Sequence, residues 1–242
     1  MSYRTFDARQ IVDALGVLLP YVGISLLILL ISTVIGMLLG LLLASMLVGR
    51  HRALTLFARV FMRFMRGAPA VVLLLLVFYG LPVLWTGIGL PAISQISRFV
   101  AVIITFALIA SAQMANVFTA AYRAIPQSQR DAAIAVGYTA SARFFRVILP
   151  QGIRNALPNL ANTITWLLKE GAVAYTIGVI DLVGRAQLRI SANYGGFALE
   201  TYIALAIIFF LLIRIIELSF HFIEKKASRH LSMTGHKEIS DA

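Results

Sequence analysis

Three stretches without a single charged side chain dominate this sequence: residues 14–49 (36 residues), 67–97 (31) and 99–122 (24). A helix needs about 20 apolar residues to cross the hydrocarbon core of a bilayer, so each stretch is long enough. Inside lipid every backbone N–H and C=O must be bonded within the protein, which restricts spanning segments to helices or closed barrels. Barrel strands are segments of about 10 residues that alternate in polarity. These runs do not alternate, so the chain is an all-α integral membrane protein. Its composition agrees, with 60% hydrophobic and 13% charged residues among 242 and a mean hydropathy of +0.89.

Two further apolar stretches carry charge. Residues 157–180 include Lys169 and Glu170, and residues 197–222 include Glu200, Arg214 and Glu217. With cores at 21–48, 70–85 and 99–122, the count is about five transmembrane helices, which places the termini on opposite sides. Lys and Arg concentrate in cytoplasmic loops. Between spans one and two lie Arg50, Arg52, Arg59, Arg63 and Arg66 with no acid; between three and four lie Arg123, Arg130, Arg143, Arg146 and Arg154 against Asp131 alone. The expected orientation is therefore N-terminus outside and C-terminus cytoplasmic.

Several function classes drop out. No cysteine is present, which removes disulfides and thiolate chemistry. The four histidines are scattered without ligand spacing, so no metal site is expected. The net charge of +11 follows from cytoplasmic loops facing a lipid membrane, and nucleic acid is not expected as a partner. The first apolar run is too long for a removable signal peptide. Residues 1–16 form an extracytoplasmic segment, in which 7–16 are a candidate interfacial helix. Residues 17–225 form the membrane domain, and 226–242 a cytoplasmic tail expected to be disordered. Pro20, Pro69, Pro82 and Pro91 are expected to mark span ends. Gly36 and Gly40 form a small-xxx-small pair that allows close helix packing.

Between the third and fourth spans lies "DAAIAVGYTASARFFRVILP", residues 131–150, too polar to span and too apolar for an idle loop. Ser128 and Asp131 suggest a capping box at the start of a short helix. Gly137 permits the positive φ of a helix C-cap, and Thr139 or Ser141 can cap a second short helix, which Pro150 is expected to end. Ala132, Ala133 and Ala135 offer a surface that another protein can approach closely.

Asp131, Ala132, Ala133, Gly137, Val147, Leu149 and Pro150 together match the spacing of the EAA loop of ABC importer permeases, which this segment (about 126–150) resembles. The resemblance covers most of the chain. "RGAPAVVLLLLVFYGLP", with Arg66, Gly67 and Pro69, is similar to the opening of span two in polar amino-acid permeases of the histidine, glutamine and cystine type, and "NTITWLLKEGAVAYTIGVIDL" is similar to their span four. The resemblance implies a type I ABC importer permease in the bacterial inner membrane. It also implies partners: an ABC ATPase dimer seated on the loop, an extracytoplasmic solute-binding protein, and a second permease subunit, identical or not. The chain has no Gly-x-x-x-x-Gly-Lys-Ser/Thr phosphate loop. ATP and Mg²⁺ are thus expected on the separate ATPase, with no cofactor or catalytic residue here.

Where related permeases carry an aromatic, an acid and an arginine in span three, this chain has Gln113, Asn116 and Thr119. Their spacing places them along one side of a helix. With Lys169 and Glu170, which are ionisable at membrane depth, they are the candidate substrate path. Helix-to-helix hydrogen bonding is the alternative for the amides, and an interfacial position for the charged pair. Arg214 and Glu217, three residues apart, fit a local ion pair. The expected solute is an amino acid, polar or cystine-like. The alternatives are another small polar solute or an ion-gradient-driven secondary carrier, which would call for inverted repeats.

Overall fold

A computed structural model describes residues 6–89 and 96–240, with side chains described as far as Lys226. The described residues are helical, with no strand among them. The elements are α1 (Arg9–Leu18), α2 (Val22–Val48), α3 (Arg52–Gly67), α4 (Ala70–Leu75), α5 (Leu81–Gly87), α6 (Arg98–Arg123), α7 (Gln127–Ala135), α8 (Ala140–Arg143), α9 (Leu149–Glu170), α10 (Leu182–Ala192) and α11 (Ala198–Ser240). Pro91 and the tail beyond Lys226 lie outside the described side chains.

Four stretches are long and apolar enough to cross a membrane: Arg9–Val48, Ala70–Gly87, Arg98–Arg123 and Ala198–Lys226. The fourth expected span, 157–180, is shifted toward the N-terminus and overlaps α9 over residues 157–170. Helix α9 starts eight residues earlier, stops at Glu170 and gives way to a 3₁₀ turn, Gly171–Ile177. Its 22 residues extend about 33 Å at 1.5 Å per residue, enough to cross, although its asparagines, Lys169 and Glu170 make it too polar to stand out by hydropathy.

The prolines explain why the boundaries shifted. Pro82 and Pro150 do not end their helices. Each follows a π turn, Leu76–Gly80 and Phe144–Ile148 respectively, beyond which the helix resumes. A proline inside an α-helix lacks an N–H and its ring collides with the carbonyl four residues back. The wider π turn moves that carbonyl away: the Leu149 N–H bonds to Phe144 O, five residues back, just before Pro150.

Helix α6 is the axis of the bundle. In its most apolar part 61% of the residues are buried, against 11% for Ala70–Gly87, so α6 is covered by its own chain while the latter is largely exposed. Its Val102, Phe106 and Ile109 pack with Ile28 and Leu29 of α2, Leu73 and Leu74 of α4, and Leu167 and Leu168 of α9. Nearer its C-terminus, Met114 and Ala121 meet Ala156 and Leu160 of α9. A second cluster joins Ala14 and Leu18 of α1 to Leu182 and Ala186 of α10 and to Ala204, Leu205 and Ile208 of α11. Arg189 reinforces it, donating to Gln10 Oε1 at 2.9 Å and Thr201 Oγ1 at 3.3 Å. The Arg214–Glu217 ion pair forms at 2.9 Å. Leucines 30, 38, 41 and 42 of α2 point outward, as they must where the surrounding solvent is lipid.

Candidate functional site

The segment between α6 and α9 is a helix, a glycine turn and a second helix. Pro126 stands at the N-cap of α7 with extended backbone, and no side chain caps it. The Ser128–Asp131 capping box therefore does not form. Proline sets the helix start at Gln127, which puts Ser128 inside the first turn and Asp131 too far along to reach the N-cap amide; Asp131 Oδ1 accepts instead from Gln127 Nε2 at 2.9 Å. At the other end Gly137 takes φ +81°. The Tyr138 N–H bonds to Ala133 O at 3.0 Å and the Gly137 N–H to Ile134 O at 2.9 Å, the paired bonds of a Schellman turn. Thr139 caps α8, its Oγ1 accepting from the Ala142 N–H at 3.2 Å.

Of the three alanines, Ala132 and Ala135 face outward while Ala133 is buried under the turn. The open surface is completed by Ile134, Val136 and Phe145, of which Val136 is 72% exposed. Val147 and Leu149 are half-buried, and Ile148 between them is buried.

Arg130, which sequence reasoning did not single out, fixes this unit to α6. Its guanidinium donates to Tyr122 O and, at 3.1 Å, to Ile125 O, and lies over the Tyr122 ring at 4.2 Å from the centroid. Tyr122 O is one of the last carbonyls of α6 and is otherwise reached by the Ile125 N–H at 3.4 Å, while Ile125 O lies just past the helix end; a cation there also meets the negative end of the helix dipole. The two-helix unit continues through the π turn into α9, so it is joined rigidly to α6 at one end and to α9 at the other. Only its basic neighbours in the sequence hinted at Arg130.

Arg66, Gly67 and Pro69 form the corner between α3 and α4. Arg66 Nε donates to Met62 O at 3.3 Å, Gly67 is the last residue of α3, and Pro69 is the N-cap of α4, its carbonyl accepting from Val72 and Leu73. The corner turns the chain from α3 into the second apolar stretch.

The polar candidates separate into two groups. Asn116 and Thr119 line an open cavity of about 330 Å³ between α3 and α6, with Arg59, Arg63, Arg66 and Arg123 around it and Leu47 and Met62 as its apolar wall. Thr119 is buried and its hydroxyl has no partner among the described residues. Gln113 is half-buried and does not line the cavity. Lys169 and Glu170 stand at the far end of α9, next to Leu167 and Leu168, which pack at the level of Phe106. From Phe106 to Asn116 is ten residues of α6, about 15 Å, so the structure does not bring the two groups together. The clustering of arginines was also missed, although the i, i+4, i+7 spacing of Arg59, Arg63 and Arg66 was visible in the sequence.

After the 3₁₀ turn that follows α9, Asp181 caps α10. Its Oδ1 accepts from the Gly184 N–H at 2.9 Å and its Oδ2 from Ser25 Oγ at 3.2 Å, while Ser25 Oγ accepts from the Leu182 N–H at 3.1 Å. Burial pushes the Asp181 carboxyl pKa above its ordinary value, against the lowering effect of these hydrogen bonds.

Comparison with known proteins places this geometry. Residues 36–229 match the family described as "Binding-protein-dependent transport system inner membrane component". The L-cystine transport system permease protein of Bacillus subtilis (strain 168) is 34% identical over 94% of this chain and 94% of its own length. A probable amino-acid ABC transporter permease protein of Vibrio harveyi is 33% identical over 84% of this chain and 88% of its own. Among solved structures, that of an amino acid ABC transporter with histidines superposes with a TM-score of 0.79 at 29% identity, covering 92% of this chain and all of the other. A methionine ABC transporter in an inward-facing conformation shares the fold, with a TM-score of 0.71 at 19% identity over 88% of this chain and 96% of the other.

Proposed function

Because the chain belongs to the family of binding-protein-dependent transport system inner membrane components, we propose that it is the transmembrane permease subunit of an ATP-binding cassette importer for amino acids. The observation that carries this reading is the loop: two short helices around the Gly137 turn, pinned to α6 by Arg130 and continuous with α9. Such a unit passes a push on its exposed face to two helices of the bundle as rigid-body movement. The push would come from an ATPase dimer that closes on ATP, with Ala132, Ala135 and Val136 at the contact and Asp131 facing an ATPase cation. The resemblance to amino-acid permeases over nearly the full length supports the solute class.

The rest of the assembly follows from the same reading. A second permease subunit completes the path, a solute-binding protein delivers from outside, and ATP with Mg²⁺ is held by the ATPase. The solute passes polar groups, for which Gln113, Asn116, Thr119, Lys169 and Glu170 are the candidates. The arginine-rich loops favour a cytoplasmic C-terminus. Residues 1–16 lie outside, 17–225 form the permease domain, and 226–242 are a cytoplasmic tail.

The absence of native cysteine makes the test direct. A cysteine at exposed Ser191 should react with a membrane-impermeant thiol reagent in intact cells, and one at exposed Ser141 only after the membrane is opened. A cysteine at Ala135 should react in the isolated permease and be shielded once the ATPase copurifies with it. Labelling of Ser141→Cys in intact cells, or equal labelling of Ala135→Cys with and without the ATPase, contradicts the reading.

A further inference from the structure

The cavity between α3 and α6 is built by two polar stripes that face one another. Arg59, Arg63 and Arg66 recur at i, i+4 and i+7 along one side of α3; Asn116, Thr119 and Arg123 recur at i, i+3 and i+7 along α6. Ala58 and Met62 of α3 pack with Ala112 and Ala115 of α6, which holds the stripes in register. Four arginines, exposed to solvent and charged at any physiological pH, thus line one open space of about 330 Å³ with no acid among its lining residues. The ion pair found among the described residues, Arg214–Glu217, is elsewhere. Mutual repulsion disfavours such a cluster unless an anion is shared among its members.

Two observations say which kind of anion. Thr119, which lines the cavity, is only 6% exposed, and its hydroxyl has no partner among the described residues, so it is a donor that they leave unused. Helix α3 also carries a third face, Phe57, Val60 and Phe64 at i, i+3 and i+7, each more than half exposed. A helix at the end of a membrane span, with an exposed apolar face beside an arginine face, lies at the boundary between acyl chains and headgroups. Basic recesses between helices at that depth hold anionic headgroups.

We propose that this cavity is a binding site for the phosphodiester headgroup of an anionic membrane phospholipid. The guanidinium groups of Arg59, Arg63, Arg66 and Arg123 grip the phosphate oxygens, with Asn116 and Thr119 adding neutral donors, and Phe57, Val60 and Phe64 lie along the acyl chains. This assignment takes Asn116 and Thr119 out of the solute path, whose remaining candidates are Gln113, Lys169 and Glu170.

The test uses the full-length protein in nanodiscs of equimolar phosphatidylglycerol and phosphatidylcholine, with the lipids retained after solubilisation counted by native mass spectrometry. Phosphatidylglycerol should be enriched about 10-fold or more over phosphatidylcholine. The Arg63→Gln/Arg123→Gln variant should lose most of that enrichment; Arg63→Lys/Arg123→Lys, which keeps both charges, should retain much of it; and Arg52→Gln, outside the cavity, should not change it. Equal retention of the two lipids overturns the proposal, as does equal loss in the Gln and Lys variants. Displacement of the lipid by millimolar inorganic phosphate would show a site for free anions, and displacement by a free amino acid a site for the solute; either overturns the lipid assignment.

Discussion

Gly36 of α2 lies so close to Ala110 of α6 that a β-carbon at Gly36 would come within 2.6 Å of the Ala110 β-carbon and 3.1 Å of the Ala107 carbonyl oxygen. One turn along, a β-carbon at Gly40 would meet that of Met114 at 2.9 Å. With the helices at this distance, Ser32 and Ser111 are fully buried in the region of the seam. Gly36→Ala should therefore lower the thermal midpoint of the purified protein by several degrees, although alanine is the better helix former by about 1 kcal/mol. Gly16→Ala in α1, where nothing lies within 4 Å, should be neutral or stabilising. A Gly36→Ala midpoint at or above wild type would show that α2 and α6 are not packed this closely.

Gly137 is constrained for a different reason. Nothing lies within 4 Å of its missing β-carbon, yet its φ is +81°. The constraint is torsional, costing a non-glycine residue on the order of 1–2 kcal/mol. Asparagine tolerates this region and β-branched residues do not. Transport should be largely kept in Gly137→Asn and strongly reduced in Gly137→Val, with both proteins inserted at wild-type level. Equal transport by the two variants would remove the turn from the mechanism.

Arg130 fastens α7 to the end of α6 through Tyr122 O and Ile125 O. Arg130→Gln should loosen the loop without unfolding α6, and hydrogen exchange should rise over residues 127–136 while residues 101–115 stay protected. Hydrogen bonds from charged groups contribute about 1.5–3 kcal/mol each, so a roughly 10-fold rise in exchange is expected. Unchanged exchange in the loop would mean that Arg130 is not the anchor.

Asp181 has a raised pKa in the folded protein. A carboxyl with a raised folded pKa binds more protons folded than unfolded in the interval between its two pKa values. Its stabilising effect is complete below the ordinary carboxylate range and declines as pH rises through the folded value. Asp181→Asn keeps an N-cap side chain and removes the titration, so the wild-type melting temperature should fall more than the variant's as pH rises across that interval. Parallel curves would contradict the burial of this carboxyl.

The helical membrane fold was legible because uncharged runs of 24 to 36 residues have few alternatives. The Gly137 turn was legible, and the cap of the second short helix was narrowed to Thr139 or Ser141, because each is decided by a few neighbouring residues. Where sequence reasoning erred, a residue's usual local meaning gave way to its context. Pro82 and Pro150 read as helix ends, yet π turns carried the helices past them. Ser128 read as a cap, yet Pro126 set the start. Arg130, the arginine cavity and the separation of Asn116 from Lys169 depend on how α3, α6 and α9 pack, which no local pattern specifies.

The proposed mechanism couples ATP hydrolysis on a partner subunit to movement of this permease through residues 126–150. It is tested most directly by uptake of radiolabelled amino acids into proteoliposomes containing the permease, the ATPase that copurifies with it and its binding protein. Uptake should require all three proteins and internal ATP, and Gly137→Val should strongly reduce it while the ATPase still copurifies. Uptake by the permease alone, driven by a sodium or proton gradient and indifferent to ATP, would contradict the account.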